Sequence, residues 1–304
     1  MARLLPNWHL IHPRYWLTWL SFGLLRLLAY LPYRPLMAVG HCLGWLFFHV
    51  AKRRMRISRT NLRLCFPAYS TIQIEKLARD YAISFGQGLM GCLIAWWWPN
   101  RRLQAYFSVQ GIEHLQNALK GGRGVIFFTP HMVSIEICGR LLAAYAPVMP
   151  TYRRHDNPAI EHLIKYNREV YVETTIPRDN PRLTLRMLQR NKAVWLSPDQ
   201  DYAGKNHVFV DFLGVPAATN TTISRFATLS GAPVVPCVVL HHPNTGYQLC
   251  IEPALVDFPK QPEQDTQRLQ VIIERWVQLA PAQYHWMHRR FKTQPNGAPS
   301  PYNV

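Results

Sequence analysis

The chain is poor in acid. Its 304 residues hold 17 Asp and Glu against 34 Lys and Arg, a formal net charge of +17 with histidine neutral. A field of that sign selects anionic partners: nucleic acid, acidic lipid headgroups or an acidic protein. The six cysteines, Cys42, Cys65, Cys92, Cys138, Cys237 and Cys250, include no C-x-x-C pair. That excludes zinc-finger spacing and a small disulfide scaffold, and it reads as reduced thiols in a cytosol-facing domain. There is no internal repeat, no low-complexity linker and no nucleic-acid motif, so nucleic acid is not the expected partner. No apolar run reaches the ~20 residues of a straight spanning helix. No small-x-small site follows one, which argues against a cleaved signal peptide.

What is present points to a packed enzyme-sized fold. The hydrophobic fraction is 48% with 10 Trp, enough for a core, and the length suits one large α/β domain or two small ones. Residues 15–31 are apolar except for Arg26 and the polar Thr18 and Ser21. Residues 36–51 are a second such stretch, carrying His41 and His49, and Pro32-Tyr33-Arg34-Pro35 separates the two. Directly after come Lys52, Arg53, Arg54, Arg56, Arg59 and Arg63, a juxtamembrane cluster that marks a cytoplasmic side and suits anionic lipid. The expectation is an N-terminal membrane-associated helical segment, either one spanning helix or a hairpin dipping into one leaflet. Two buried core helices are the plainer alternative. The division that follows is a membrane anchor with its basic segment over 1–56 and a cytoplasmic catalytic domain over 57–304.

Beyond the basic cluster, 71–98 reads as a helix with a broad apolar face. Short apolar runs then alternate with helical patterns, the signature of an α/β domain. Strands are predicted over 124–129, 147–152, 193–197, 207–212, 234–240 and 247–252. Helices are predicted over 133–144, 158–170, 181–190, 220–230 and 262–279. The tail from Thr293, rich in Pro, Asn and Gly, is expected to be loose.

One place combines these elements with chemistry. A glycine turn, Gly121-Gly122-Arg123-Gly124, leads into the apolar run Val125-Ile126-Phe127-Phe128 and then Thr129-Pro130-His131. A helix follows, so His131 falls in the strand-to-helix crevice where open α/β sheets hold ligands. Glu136 lies five residues on. Chance alone gives about 0.7 such H-x4-acid pairs in a chain of this composition, so position says more than spacing. Inside one helix the two would lie about 140° apart. With His131 just before the helix, the Glu136 carboxylate can reach the imidazole, fix its tautomer and stabilise the imidazolium formed when it accepts a proton. The acceptor's own hydroxyl could then attack with no Ser or Cys nucleophile. The plainer reading is that His131 caps the helix and Glu136 complements its dipole.

Several blocks resemble a known family in the right order. They are His12-Pro13-Arg14-Tyr15-Trp16-Leu17-Thr18-Trp19-Leu20, Arg59-Thr60-Asn61-Leu62 with Cys65-Phe66-Pro67, and Trp96-Trp97-Trp98-Pro99. Further on come Tyr152-Arg153 with Asp156-Asn157-Pro158, Ser197-Pro198-Asp199-Gln200-Asp201-Tyr202, and Ala280-Pro281 through Tyr284, Trp286 and His288-Arg289-Arg290-Phe291-Lys292. Over nearly the whole chain the sequence resembles the Kdo-dependent late acyltransferases of bacterial lipid A biosynthesis, most closely the lauroyl-transferring branch. The resemblance implies a glycerolipid-acyltransferase-like α/β fold with a mixed central sheet flanked by helices, in a bacterial inner-membrane enzyme facing the cytoplasm. It implies an acyl donor on acyl carrier protein and a Kdo-bearing tetra-acylated lipid A precursor as acceptor. It implies His131 as general base with Glu136 as partner, and neither metal nor bound cofactor.

Other residues carry weaker expectations. Arg153 or Arg154 could supply an oxyanion donor or clamp a phosphate, or be a solvated basic turn. Asp199, Asp201 and Gly204 could shape the active-site floor or acceptor pocket, or be a carboxylate-rich turn; Gln200 and Tyr202 beside them are poor metal ligands. Chain length is not legible, since one methylene changes binding by only ~1–3 kcal/mol, and laurate, myristate and palmitoleate all stay open. Two rivals remain: a lysophosphatidic acid acyltransferase, which would share the pair but lack the block at 288–292, and a non-catalytic basic membrane-binding protein.

Overall fold

Four consecutive buried side chains, Val125-Ile126-Phe127-Phe128, form a strand with no exposed face, which requires packing on both sides. The computed structural model describes residues 8–302; residues 1–7 and 303–304 of the two ranges expected from sequence lie outside the described residues. The chain begins with α1 (Trp16–Leu28), α2 (Tyr33–Val50), α3 (Lys52–Cys65), α4 (Thr71–Trp97) and the single turn α5 (Asn100–Leu103). Alternation follows: β1 (Phe107–Gln110), α6 (Ile112–Lys120), β2 (Val125–Phe128), α7 (Ile135–Leu142), β3 (Val148–Tyr152), α8 (Pro158–Arg168), β4 (Ile176–Pro177), α9 (Pro181–Gln189) and β5 (Ala193–Leu196). The rest is β6 (His207–Phe212), β7 (Val215–Asn220), α10 (Thr222–Ser230), β8 (Val234–His242), β9 (Gly246–Ile251) and α11 (Pro262–Leu279).

Seven strands form one sheet in the order β1-β9-β8-β2-β5-β3-β4, and β6 with β7 make a separate antiparallel ribbon. All neighbours in the large sheet are parallel except β8 and β9, so the sheet is mixed and flanked by helices. Successive side chains of β2 point to opposite faces. Ile126 and Phe128 join a core with Met55, Ile74, Tyr81 and Trp276, while Val125 and Phe127 join one with Tyr33, Leu36, Met90 and Ile137. The 27 residues of α4, ~40 Å at the α-helical rise, contribute to both.

Local chemistry sets the helix starts. Ser70 and Gln73 form a capping box on α4. Asn157 and Asn180 cap α8 and α9 with Pro in the first turn, where its missing N–H costs nothing. All six predicted strands and the helices predicted after residue 70 are present, β6 and α11 with the predicted ends and the others with shifted ones. The sequence reading lacked β1, β4, β7, α3, α5 and α6. β1 and β4 are only four and two residues long, and β7 contains Pro-Ala-Ala, which has little strand propensity. The β6–β7 turn is made by Leu213 and Gly214, both with positive φ, as a two-residue hairpin turn demands.

The N-terminus departs from the spanning reading. Among the described residues no helix is long and apolar enough to cross a membrane. The first stretch is cut short because α1 stops at Leu28 and the chain turns before Pro32. The second is pinned along α4: a Cβ on Gly86 would stand 2.1 Å from the Gly40 carbonyl oxygen and 2.5 Å from the Gly44 nitrogen. Position 56 falls inside α3, and Met55 beside it is fully buried in the core. α1 meanwhile leaves Trp16, Leu17, Leu20, Leu24 and Leu27 exposed. The tail is tied rather than loose. Thr293 donates its backbone N–H to Asp201 at 2.9 Å, and the Tyr302 hydroxyl both accepts from Phe291 N–H and bonds Asn61.

Candidate active site

The centre of the sheet positions two residues that are far apart in sequence. β2 and β5 are parallel neighbours in the register Val125↔Ala193 to Phe128↔Leu196. His131 and Asp199 each lie three residues past the end of that pairing, so they leave the sheet side by side. The Asp199 Oδ1 lies 2.6 Å from His131 Nδ1, and its Oδ2 accepts the His131 backbone N–H at 2.8 Å. Asp199 is fully buried, and the Tyr284 hydroxyl donates to its carbonyl oxygen at 3.2 Å. The His131 carbonyl accepts from His285 N–H at 2.9 Å. Burial alone would push the Asp199 carboxyl up. The adjacent His131, its two hydrogen bonds and the more distant Arg290 outweigh that and hold it down at about 2.

An ionised carboxylate can only accept, so the Nδ1 of His131 carries a proton, and in the neutral ring Nε2 is the atom left with a lone pair. The ring is 27% exposed and lines a cavity of about 1260 Å³. Such an arrangement can act chemically as a base with its orienter.

Glu136 is elsewhere in the same wall. Its carboxylate accepts from Arg168 Nη2 at 2.6 Å and Nε at 2.9 Å, from Trp96 Nε1 at 2.7 Å and from the Tyr171 hydroxyl at 3.1 Å. Among the described residues no hydrogen bond joins it to His131. The expected contact between Glu136 and the imidazole is therefore made by Asp199. Glu136 sits in the first turn of α7 and points toward α4 and α8, where Arg168 takes both its oxygens. Burial would raise its pKa, but the Arg168 charge and these bonds lower it overall. Arg168 is correspondingly raised, the Glu136 charge overcoming the cost of its burial.

The remaining candidates separate. Arg153 lines the cavity but is 67% exposed, with a loose 3.9 Å pair to Asp156; Arg154 is exposed and not part of the lining. Asp201 borders the cavity and binds the tail, accepting from Thr293 N–H and Oγ1–H while its own N–H donates to His288 Nε2 at 3.1 Å. Gly204 also borders it, and a Cβ there would meet the Tyr202 hydroxyl at 2.3 Å. Sequence reasoning missed Arg168, Tyr171 and Trp96 around Glu136, and the rim cations Arg178, Arg182, Arg225 and Lys292. The equal three-residue overhang of His131 and Asp199 would have identified their pairing had the β2–β5 adjacency been known.

The family described as bacterial lipid A biosynthesis acyltransferase matches residues 6–293. The chain is similar to the lipid A biosynthesis palmitoleoyltransferase of Escherichia coli K12, 38% identical over 297 residues, covering 96% of each chain. It is similar to the lipid A biosynthesis lauroyltransferase of the same organism, 37% identical over 296 residues, covering 96% of this chain and 97% of the other. A solved structure, the 1-acyl-sn-glycerophosphate acyltransferase of Thermotoga maritima, gives a TM-score of 0.37 at 13% identity, covering 82% of this chain and 99% of that one.

Proposed function

The chain belongs to the bacterial lipid A biosynthesis acyltransferase family and is an acyltransferase; on that premise we propose the reaction, donor and acceptor. It moves a fatty acyl chain, lauroyl in our reading, from acyl carrier protein to the 3-hydroxyl of an acyl chain on a Kdo-bearing tetra-acylated lipid A precursor. It works at the cytoplasmic face of the bacterial inner membrane, among anionic lipids, and needs no metal or bound cofactor.

The observation that carries this reading is His131, its Nδ1 held by the buried Asp199 at 2.6 Å, in the wall of a cavity of about 1260 Å³. His131 takes the acceptor's hydroxyl proton as the oxygen attacks the thioester carbonyl. The tetrahedral oxyanion collapses, the carbon–sulfur bond breaks, and the imidazolium returns its proton to the departing thiolate. Asp199 stabilises that imidazolium from a fully buried position, where charge interaction is strong. Positioned proton transfer of this kind contributes ~10²–10⁴-fold. Arg153, too exposed to meet a buried oxyanion, is placed for a phosphate or carboxylate of the acceptor, alongside Arg182, Arg225 and Lys292. The Glu136–Arg168 pair braces the same wall.

The test is a transfer assay with acyl carrier protein loaded with lauroyl, myristoyl or palmitoleoyl chains, offered the Kdo-bearing precursor or lysophosphatidate. The expected result is fastest transfer of lauroyl, to the Kdo-bearing precursor, lost on His131→Ala. Transfer to lysophosphatidate alone would overturn the acceptor, and preference for another chain would overturn the acyl assignment.

A further inference from the structure

A second cavity, of about 440 Å³, opens at the corner where α2 runs into α3. It is lined by Phe48, His49, Lys52, Arg56 and Arg59. Lys52, Arg56 and Arg59 recur at helical spacing on α3, so they share one face. Arg59 is held: it pairs with Glu75 at 2.7 Å and lies 5.2 Å from the centre of the Phe48 ring, with Arg79 5.6 Å from the same ring. Lys52 and Arg56 are exposed and have no ion pair among the described residues. A cavity with two uncommitted cations, braced by a third on an aromatic ring, suits a phosphate ester.

The neighbourhood specifies which kind. The last turns of α2 expose Trp45, Leu46 and Val50, and the Trp45 ring is 4.6 Å from the His49 ring at the cavity's edge. Apolar side chains of this size beside a basic cavity match a molecule that is anionic at one end and hydrocarbon at the other. A soluble nucleic acid would leave that apolar surface in water, where it is unfavourable. Aromatic side chains with a neighbouring cation also suit the bilayer interface, with the ring at headgroup level and the charge toward water.

We propose that the cavity formed by His49, Lys52, Arg56 and Arg59 binds the phosphate headgroup of an anionic bilayer lipid, whose chains lie against Trp45, Leu46 and Val50. The inference rests on the membrane reading above and places one specific contact within it. It gives the α2–α3 corner a fixed depth at the membrane surface, with α3 on the water side. The active-site cavity is separate and shares none of these residues.

The experiment is co-sedimentation of the full chain with vesicles of phosphatidylglycerol mixed with phosphatidylethanolamine, or of phosphatidylcholine alone. The Lys52→Glu/Arg56→Glu variant is compared with a Lys120→Glu/Arg190→Glu control. The control makes the same change in net charge at two exposed residues that line neither cavity, near the Asn191 bond to the Leu119 carbonyl. Each lysine or arginine at an anionic surface is worth about a fivefold change in binding. The first variant is therefore expected to bind the anionic vesicles at least about tenfold more weakly than wild type. The control should fall by less than about threefold. Equal losses in both variants, or none in the first, would overturn the site while leaving membrane binding intact. Failure of wild type to bind either vesicle would overturn the membrane reading itself. Release of wild type from anionic vesicles by millimolar inorganic phosphate, at matched ionic strength, would make this a free-anion site and overturn the lipid assignment. Transfer by the first variant on detergent-dispersed precursor is expected to match wild type, which separates this site from the chemistry.

Discussion

A carboxylate taken out of water needs charge or hydrogen bonds in return, and Glu136 and Asp199 meet that need in different ways. Asp199 has a titratable partner, His131, with which it can share a proton's consequences. Glu136 has a permanent cation, Arg168, and two further donors. In the proposed mechanism the first arrangement serves proton transfer and the second serves rigidity. Glu136→Ala would leave the Arg168 guanidinium, 24% exposed, without its counter-charge. Urea unfolding should register a loss of about 3 kcal/mol, and a change under about 1 kcal/mol would mean that the pair adds no stability. His131 and its crevice were legible because a glycine turn, an apolar run and a histidine are contiguous. Asp199 is 68 residues away, and the parallel register that brings it alongside leaves no spacing in the sequence.

At the scale of elements, α4 joins the N-terminal helices to the catalytic sheet. Its last residues show how. Trp96 bonds Glu136 of α7, Trp97 bonds Asn167 of α8 at 2.7 Å, and Trp98, one residue past the helix, bonds the Ala29 carbonyl at 2.8 Å. Three adjacent indoles, rotated by ~100° each around a helix, thus reach three different segments. Midway along, Gly86 lets α4 touch α2 at Gly40 and Gly44. Gly86→Ala puts a methyl group onto backbone that cannot yield, and should cost about 3 kcal/mol in denaturant unfolding. A neutral result would show that the helices separate freely. The tryptophan run was visible in sequence only as a block. Its reach needs the helix phase, and the α2–α4 contact needs knowledge of which faces meet. Apolar composition alone also let α2 read as a spanning segment, which among the described residues it is not long and apolar enough to be. A helix buried against another helix and one buried in lipid have the same hydrophobic signature.

For the molecule as a whole, charge and acid response follow from a few buried groups. Loss of water holds the rings of His241 and His288 down at about 4, and neighbouring histidines add to it. Both favour the neutral form in the fold, so their stabilisation is complete above pH 6.5, the ordinary histidine value, and is lost as pH falls toward 4. Asp199, depressed to about 2 from an ordinary 3.8, adds a loss from pH ~4 downward. The thermal midpoint should therefore be level near neutrality and fall steadily below pH ~6.5; a midpoint unchanged down to pH ~4 would contradict this. The central claim is that His131 acts as the base with Asp199 behind it. The most direct measurement is the steady-state rate of acyl transfer to the Kdo-bearing precursor by Asp199→Asn, with folding checked by circular dichroism. Loss of the buried negative charge should lower kcat by ~10²–10⁴-fold with KM little changed. A folded variant within about threefold of the wild-type kcat would contradict it.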